Sequence, residues 1–282
     1  MSKTTRSAAR QVVRGASAAN VLRVQAGQAE RDTDMLAEEW PIALEFNGVT
    51  HAVMLASPCD LEDFALGFAL SEGIIDQEAQ CYGIEVVVAP AGWTVRVNIA
   101  TSCFARLKEK RRNLTGRTGC GLCGAESLQH VMRPLPDLTA SVQRVSGKSI
   151  DLALQNLRAH QVMQQATGAT HAAAWFDASG KLRLLREDVG RHNALDKVIG
   201  AGVRGGDPDW QQGMLLVTSR ASMEMVQKTA VAGFPVLVAI SAPTRLAVQI
   251  ANDHGVCLIG FAKPGRWTIY SHPQRVPGLT SQ

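Results

Sequence analysis

The hydrophobic and polar pattern of the first hundred residues predicts a small β-rich unit with one helix. Two apolar runs, 41–49 and 52–56, flank the dipeptide Asn47-Gly48, which is typical of a tight hairpin turn. Apolar residues then recur at helical spacing between residues 60 and 72, and Gly73 ends the pattern. Two further strands are predicted over 83–89 and 94–99. We therefore expect a smaller N-terminal β-rich subdomain over residues 34–100.

The second half of the chain alternates between apolar runs of strand length and amphipathic segments of helix length. Such alternation predicts a layered α/β (α+β) domain with a largely shared sheet. We expect this larger domain over residues 151–270, a basic helix and a cysteine loop over 101–150 between the two domains, and a C-terminal tail over 271–282. The predicted helices are 102–113, 126–132, 151–166, 193–200, 221–232 and 243–253, and the predicted strands are 170–176, 181–187, 213–218, 235–240 and 256–261.

Composition narrows the class of protein. The 282 residues, 46% of them hydrophobic, are enough to bury a sizeable core. The net charge is +4, but residues 1–29 hold five bases and no acid, so the body of the chain is near neutral and nothing indicates a nucleic-acid partner. Residues 1–33 match the acid-poor pattern of an organellar transit peptide superficially, and we expect a disordered basic tail there instead.

Two further features of composition bear on location. The longest apolar runs fall short of a membrane span, so we expect no membrane partner. Six cysteines in a chain of this length do not resemble a dense disulfide framework, which favours a soluble protein of a reducing compartment.

Residues 118–124 carry the thiols of Cys120 and Cys123 among three glycines, after a strongly basic stretch. Glycine permits positive φ and close approach, and cationic neighbours lower the pKa of a thiol. A structural zinc site is weakly supported, because the sequence has no second close cysteine pair. The spacing of Cys120 and Cys123 alone does not separate persulfide carriage from redox exchange. The other four cysteines are expected to be small buried residues. They are Cys59, Cys81, Cys103 and Cys257.

Polar segments follow the predicted strands at several points. The ordinary interpretation is a solvated connection, in which Asn193 caps a helix while Asp196 and Lys197 lie on its exposed face. The functional interpretation is that strand ends form a ligand crevice, where Arg191 and His192 hold an anion. Together these loops predict a polar rim along one edge of the sheet. The segments are 186–197, 218–224 and 241–244.

These residues taken together resemble the FdhD family, the formate dehydrogenase accessory sulfurtransferases. The resemblance extends in order over about residues 35–275, and the string from Glu187 to Asn193 is too long to recur by chance. The segments that carry it are 39–42 with 47–48, 67–75, 119–124, 167–173, 186–200, 219–225, 241–244 and 260 onward.

The resemblance implies a persulfide-forming sulfurtransferase. It implies that the protein takes sulfur from an L-cysteine desulfurase and passes it to the molybdenum (or tungsten) cofactor, in its bis-guanine-dinucleotide form, before formate dehydrogenase receives that cofactor. Cys120 corresponds to the persulfide carrier and Cys123 to an assisting thiol. The cofactor is a client, and no tightly held metal of the protein's own is implied. The cofactor contact falls on Phe261, Ala262, Lys263, Pro264, Gly265 and Arg266, whose two cations would meet phosphates.

The resemblance also implies a cytidine deaminase-like fold for the larger domain, a homodimer and a cytoplasmic location. Deaminase zinc chemistry is not expected, because His171 is followed by Ala172 and Ala173 where a catalytic glutamate would be needed. The main alternative is a chaperone that binds the cofactor without covalent sulfur transfer. A structural zinc module is a third class, which would lose its fold with its metal.

Overall fold

The computed structural model describes residues 13–115 and 134–279, and its first element is a long antiparallel hairpin. Strands β1 (Ala16–Gln25) and β2 (Gln28–Ala37) pair along their whole lengths. The turn between them places Ala26 and Gly27 at φ values of 51° and 80°. The expectation of a disordered tail is therefore wrong for residues 13–33. Arg23 on β1 donates a hydrogen bond to Asp32 on β2 at 2.9 Å. Part of the positive charge of the N-terminal segment is therefore paired with acidic residues across the hairpin. We call β1 and β2 the arm.

A four-stranded sheet follows, and it contains the strands and the turn that the sequence predicts. Its strands are β3 (Trp40–Phe46), β4 (Val49–Ala56), β5 (Cys81–Ala89) and β6 (Gly92–Ile99), in the order β4-β3-β6-β5. Helices α1 (Leu61–Ser71) and α2 (Thr101–Thr115) flank it, and buried residues of both belong to the apolar core on one face of the sheet. This core forms because apolar residues alternate along the strands and meet the apolar stripes of the helices.

A six-stranded sheet organises the second half of the chain. Its strands are β7 (His171–Phe176), β8 (Leu182–Asp188), β9 (Met214–Val217), β10 (Val236–Ala239), β11 (Cys257–Lys263) and β12 (Arg266–Ile269). The order is β12-β11-β10-β9-β7-β8, and β9, β10 and β11 run parallel. The predicted shared sheet is confirmed, and β12 is an additional strand that the sequence pattern did not indicate.

Helices cover both faces of this sheet. Helix α3 (Gly147–His160) packs on one face, and α5 (Arg191–Gly205), α6 (Met223–Val231) and α7 (Arg245–Asp253) pack on the other. The single helix predicted over 151–166 is two helices, because the chain breaks at Gln161 before α4 (Val162–Thr167). None of the helices in the described ranges combines the length and the hydropathy that a membrane crossing requires.

The two sheets are joined where α1 crosses α5. A Cβ atom on Gly67 would lie 2.6 Å from the carbonyl carbon of Asp196, and one on Gly200 would lie 2.8 Å from that of Asp63. Only glycine allows the two backbones to approach this closely. The proposed boundaries between domains remain predictions, but the helix crossing makes a tight junction between the parts they separate.

The C-terminal segment is packed rather than a free tail as far as residue 279. Arg275 is buried, and its guanidinium donates to the carbonyl oxygens of Gly255 at 3.1 Å and Ser141 at 2.7 Å. These bonds satisfy a buried cation with backbone acceptors. The tail predicted from residue 271 is therefore part of the folded body over 271–279.

Candidate functional site

The predicted polar rim exists at the carboxyl edge of the parallel strands. The loops that follow β9 and β10 are hydrogen-bonded to each other and to the end of β11: Ser241 N donates to Ser219 O at 3.4 Å, and Phe261 N donates to Ser241 O at 3.1 Å. Strand β7 begins and β8 ends at the same edge, where His171 pairs with Asp188. Strand ends of this kind are the usual position of ligand crevices in α/β sheets.

A cleft of about 940 Å³ opens at this edge, a volume within the range of small-molecule sites. Helices α3 and α4 form one wall, and the ends of β7, β9 and β10 form another. The lining mixes amides, two hydroxyls, an imidazole and one guanidinium with apolar groups, which suits a polar organic ligand. The polar lining includes Arg158, Gln161, Gln164, Thr170, His171 and Thr218.

Glu187 fixes the wall that α4 contributes. Its buried carboxylate accepts hydrogen bonds from Met163 N at 2.8 Å, Gln164 N at 2.7 Å and Thr170 Oγ1 at 3.2 Å. A carboxylate at this position satisfies free N–H groups at the start of the helix and complements its dipole. Glu187 therefore shapes the cleft from behind and does not face its ligand.

Asp188 and Lys197 form a fully buried ion pair, with 2.6 Å between Oδ2 and Nζ. Asp188 also accepts from Ser57 N at 3.0 Å and from Asn193 Nδ2 at 3.0 Å. The expectation that Lys197 lies on an exposed face is wrong, and so is the assignment of Asn193 as the helix cap, because the cap is Gly190. The physical reason is that α5 packs between the six-stranded sheet and α1, which leaves these positions no access to water.

Asp196 is buried as well, in a second charged cluster that joins α1, α5 and α6. Lys228 Nζ lies 3.0 Å from both Asp196 carboxylate oxygens and 2.7 Å from Glu72 Oε1, and Ser71 Oγ donates to Asp196 at 2.6 Å. Burial alone would lower the pKa of Lys228, but Asp196 and Glu72 reverse the effect and raise that pKa. Sequence reasoning missed Lys228, whose only signal is its place inside the otherwise uncharged stretch 225–230.

Three cationic or titratable side chains remain at the edge of the sheet. His192 Nε2 lies 2.8 Å from Glu224 Oε2, and this contact lowers the pKa of Glu224. Burial lowers the pKa of His171, and the nearby Arg191 and His192 lower it further. The functional interpretation expected Arg191 and His192 at this edge, and the structure adds His171 beside them. An anion at this edge would meet the positive charge of Arg191.

The predicted cofactor segment forms the turn between β11 and β12, beyond the same carboxyl edge. Phe261 is 51% exposed and adopts a φ of 50°, whereas Ala262 is fully buried and offers only its backbone. Lys263 and Arg266 pair across the turn, and both are exposed. A backbone N–H of the turn donates to Asp151 on α3 at 2.9 Å, which ties the turn to the cleft wall. The segment therefore presents an aromatic ring and two cations to solvent.

Cys120 and Cys123 lie outside the described residues. The expected burial is confirmed for three of the remaining cysteines, while Cys81 is half-buried. Burial raises the pKa of the thiols of Cys59 and Cys81, and raises the pKa of Cys257 to about 12. These three thiols are therefore protonated and weakly nucleophilic at neutral pH.

Comparisons with known proteins agree in pointing to one family. The model of the FdhD/NarQ family matches residues 37–277. A protein named Sulfur carrier protein FdhD from Bordetella bronchiseptica is 54% identical over 261 residues, which are 92% of this chain and 94% of that relative. A protein of the same name from Variovorax paradoxus is 53% identical over 256 residues, 91% of each chain.

The fold also has a relative of known structure. The crystal structure of a protein from Desulfotalea psychrophila, assigned as a formate dehydrogenase accessory protein, matches with a TM-score of 0.71 and 23% identity. The match covers 93% of this chain and 99% of that one. At this identity the likeness concerns the fold, a mixed α/β arrangement of several sheets and helices.

Proposed function

Because this chain belongs to the FdhD/NarQ family, we propose that it carries sulfur for the maturation of formate dehydrogenase. The observation that carries the proposal is the 54% identity, over 92% of the chain, to a relative named as a sulfur carrier. The family match runs from residue 37 to residue 277 and so spans both cysteines of the 118–124 loop. A carrier of sulfur needs a nucleophilic thiol, and the loop supplies two.

The proposed intermediate is a persulfide on Cys120. Its thiolate attacks the terminal sulfur of a persulfide on an L-cysteine desulfurase, the sulfur–sulfur bond of the donor breaks, and the donor leaves as a thiolate. Cys120 then holds the transferred sulfur as S–SH. The other cysteines support this choice by elimination, because burial raises the pKa of Cys59, Cys81 and Cys257, and Cys103 is fully buried.

Delivery of that sulfur as sulfide requires two electrons, and we propose that Cys123 supplies them. Attack of the Cys123 thiolate on Cys120 Sγ releases the terminal sulfur as hydrosulfide and leaves a disulfide between the two residues. Two equivalents of a cellular thiol must then reduce this disulfide, and they leave as a disulfide of their own, before the next cycle. The proposed acceptor is the molybdenum cofactor in its bis-guanine-dinucleotide form, bound as a substrate.

The carboxyl edge of the large sheet is the proposed place for this acceptor. Lys263 and Arg266 are exposed cations of the kind that hold phosphates, and the ring of Phe261 is free to stack on a base. The adjoining cleft of about 940 Å³ has room for a further part of the same ligand, beside His171. This geometry also favours the second candidate function, a cofactor chaperone that needs no covalent sulfur.

The remaining parts of the proposal come from the family resemblance. They are a cytidine deaminase-like fold for residues 151–270, a homodimer, a cytoplasmic location and the absence of a tightly held metal. A sheet with three parallel strands and helices on both faces supports the first of these.

The test is intact mass analysis and peptide mapping after incubation with a cysteine desulfurase and L-cysteine. We expect one added sulfur atom on Cys120 in the wild type, none in Cys120→Ala, and a persulfide that persists longer in Cys123→Ala. Cys81→Ala is the matched control and should load like the wild type. Loading that survives Cys120→Ala would place the carrier on another cysteine, and no loading of any variant would favour the chaperone.

A second measurement addresses the acceptor site separately. Guanosine diphosphate should bind the wild type, and the Lys263→Ala, Arg266→Ala double variant should bind it at least about tenfold more weakly, since each charge-assisted contact contributes about 1.5–3 kcal/mol. Lys181→Ala, an exposed cation on the distant turn before β8, is the control. Equal affinities for all three proteins would remove the turn from the proposed site.

A further inference from the structure

The turn between β11 and β12 carries two exposed cations on a hairpin tip that is weakly held by its own strands. Lys263 and Arg266 form the last register pair of the hairpin. Next to this pair the ladder is interrupted, because Phe261 and Ala262 on β11 oppose the single residue Trp267 on β12. A bulge of this kind leaves a residue unpaired and bends the strand. Beyond the bulge, one register pair therefore holds the tip to the sheet.

The two residues of the turn, Pro264 and Gly265, add to this weakness. Proline fixes φ at about −65° in the first position, and Gly265 has a φ of 76° in the second. A negative φ followed by a positive φ is the pattern of a type II turn. Two-residue hairpins favour the primed turn types, which need a positive φ in the first position, because a type II turn splays the strands. The tip therefore needs support from outside the hairpin to keep one geometry.

Asp151 on α3 supplies this support. Its Oδ1 atom accepts a hydrogen bond from Gly265 N at 2.9 Å and a second from Trp267 Nε1 at 3.1 Å. One carboxylate oxygen thus holds both the turn and the residue that faces the bulge. A Cβ atom on Gly147 would lie 3.2 Å from Trp267 Cζ2, so the first turn of α3 also packs closely on the indole ring. The tip is therefore fixed relative to α3, which forms a wall of the cleft.

We propose that Asp151 is a positioning residue, which holds Lys263 and Arg266 in place for a phosphate-bearing ligand before that ligand arrives. The inference rests on the proposed acceptor site at this turn and adds the residue that preorganises it. Among residues 13–115 and 134–279, neither cation forms an ion pair. Asp151 accepts from two uncharged donors rather than from either cation. Both positive charges therefore remain available to the ligand.

Preorganisation predicts a moderate effect on affinity. If the tip were loose, the ligand itself would have to order the turn and two long side chains, and the free energy of that ordering would be lost from binding. We therefore expect a loss of about threefold to tenfold without Asp151, rather than a complete loss. The effect must pass through the two cations, because a carboxylate that touched the phosphates directly would repel them.

The test is a double-mutant cycle on the affinity of the full chain for guanosine diphosphate, measured by titration calorimetry. Asp151→Ala should bind about threefold to tenfold more weakly than the wild type. The same change should have no further effect in the Lys263→Ala, Arg266→Ala background, because the side chains that Asp151 positions are then absent. An equal loss in both backgrounds would show a general structural effect and would overturn the inference.

Two further variants separate hydrogen bonding from charge and from position. Asp151→Asn keeps an acceptor oxygen and removes the negative charge, so it should restore the affinity that Asp151→Ala loses. Asp177→Ala is the matched control, because Asp177 Oδ1 accepts from Ser179 N at 3.0 Å and from Lys181 N at 3.1 Å in another hairpin turn. That turn lies between β7 and β8 at the opposite edge of the sheet, so the control should bind like the wild type. An Asp151→Asn variant as weak as Asp151→Ala would contradict the inference.

Amide hydrogen exchange followed by NMR tests the contact without any ligand. The N–H of Gly265 should exchange faster in Asp151→Ala than in the wild type, and equal rates would overturn the inference whatever the affinities are. The affinities also separate this inference from the proposed function. A wild type that does not bind guanosine diphosphate would remove the proposed acceptor site and this inference with it. Binding by the wild type that Asp151→Ala leaves unchanged would overturn this inference alone.

Discussion

Replacing Gly67 by alanine tests whether the crossing of α1 and α5 holds the two sheets together. The added Cβ would lie 2.6 Å from the carbonyl carbon of Asp196 and 2.8 Å from the amide nitrogen of Gly200, both backbone atoms that no rotamer change can move. The carbonyl oxygen of Asp196 would lie closer still. Carbon atoms pack at about 3.5–4.0 Å, so the helices must separate by more than about 1 Å. Forced separation in a packed core costs about 1–3 kcal/mol, sometimes more.

Two further effects determine the net change in the free energy of unfolding. Alanine is intrinsically preferred to glycine in a helix by up to about 1 kcal/mol, which offsets part of the cost. Separation also strains the ion pairs beside the crossing, where Asp63 meets Arg186 at 2.8 Å and Asp196 meets Lys228 at 3.0 Å. Because the colliding atoms are backbone, we expect the upper end of the range and a net loss of about 2 kcal/mol in the free energy of unfolding.

The assay is urea unfolding followed by circular dichroism, with stability read from the midpoint at constant slope. The matched control is Gly205→Ala, in the same helix α5, where a Cβ would meet nothing within 4 Å. This control should gain a few tenths to about 1 kcal/mol. If Gly67→Ala is as stable as the control, the two helices are not in the contact described and the junction between the sheets lies elsewhere.

Three further predictions concern Lys197, Glu187 and His171, and each is tested by urea unfolding. Lys197→Met leaves the Asp188 carboxylate buried without its partner and should lower the free energy of unfolding by about 3–5 kcal/mol. Adding Asp188→Asn should recover part of that loss. A small effect of Lys197→Met alone would contradict the buried ion pair. Glu187→Gln weakens the charged hydrogen bonds that hold α4 and should cost about 1–2 kcal/mol. His171 has its pKa lowered by burial, so its stabilising contribution is complete above its ordinary pKa of about 6.5 and is lost as the pH falls below that value. The wild type should therefore lose more stability between pH 7.5 and pH 5.5 than His171→Asn, and equal losses would show that the histidine titrates normally.

The elements of the second half of the chain could be predicted because their signal is local. A buried strand such as β9 or β10 is a short apolar run followed by polar turn residues, and the parallel order then brings those ends to one edge. The polar rim around Ser219, Ser241 and Phe261 follows from that pattern alone. The cofactor segment was located by family resemblance, and its hairpin geometry required β12, a four-residue strand too short to give a periodic signal.

The positions of the charges could not be predicted in the same way. Aspartate and lysine are rarely fully buried unless paired, so the sequence alone favours an exposed helix face for Asp196 and Lys197. Their partners, Lys228 and Asp188, come from other elements, and Asp196 and Lys228 are 32 residues apart. The arm was missed for a different reason, because neither of its faces is buried in the described chain and its apolar residues show no clear alternation.

The side chains of segment 187–197, which includes the string from Glu187 to Asn193 that carries the family resemblance, therefore fall into two groups by the direction in which they point. Glu187, Asp188 and Lys197 point away from the cleft and hold α4 and α5 in place, whereas Arg191 and His192 stay at its edge. Loss of sulfur transfer after substitution of an inner residue would report a lost fold, since a stranded buried charge removes several kcal/mol from a total of about 5–15 kcal/mol. Substitution of an outer residue leaves that framework intact. Only the outer positions can separate ligand binding from stability, and activity measured on any inner variant has meaning only beside its unfolding curve.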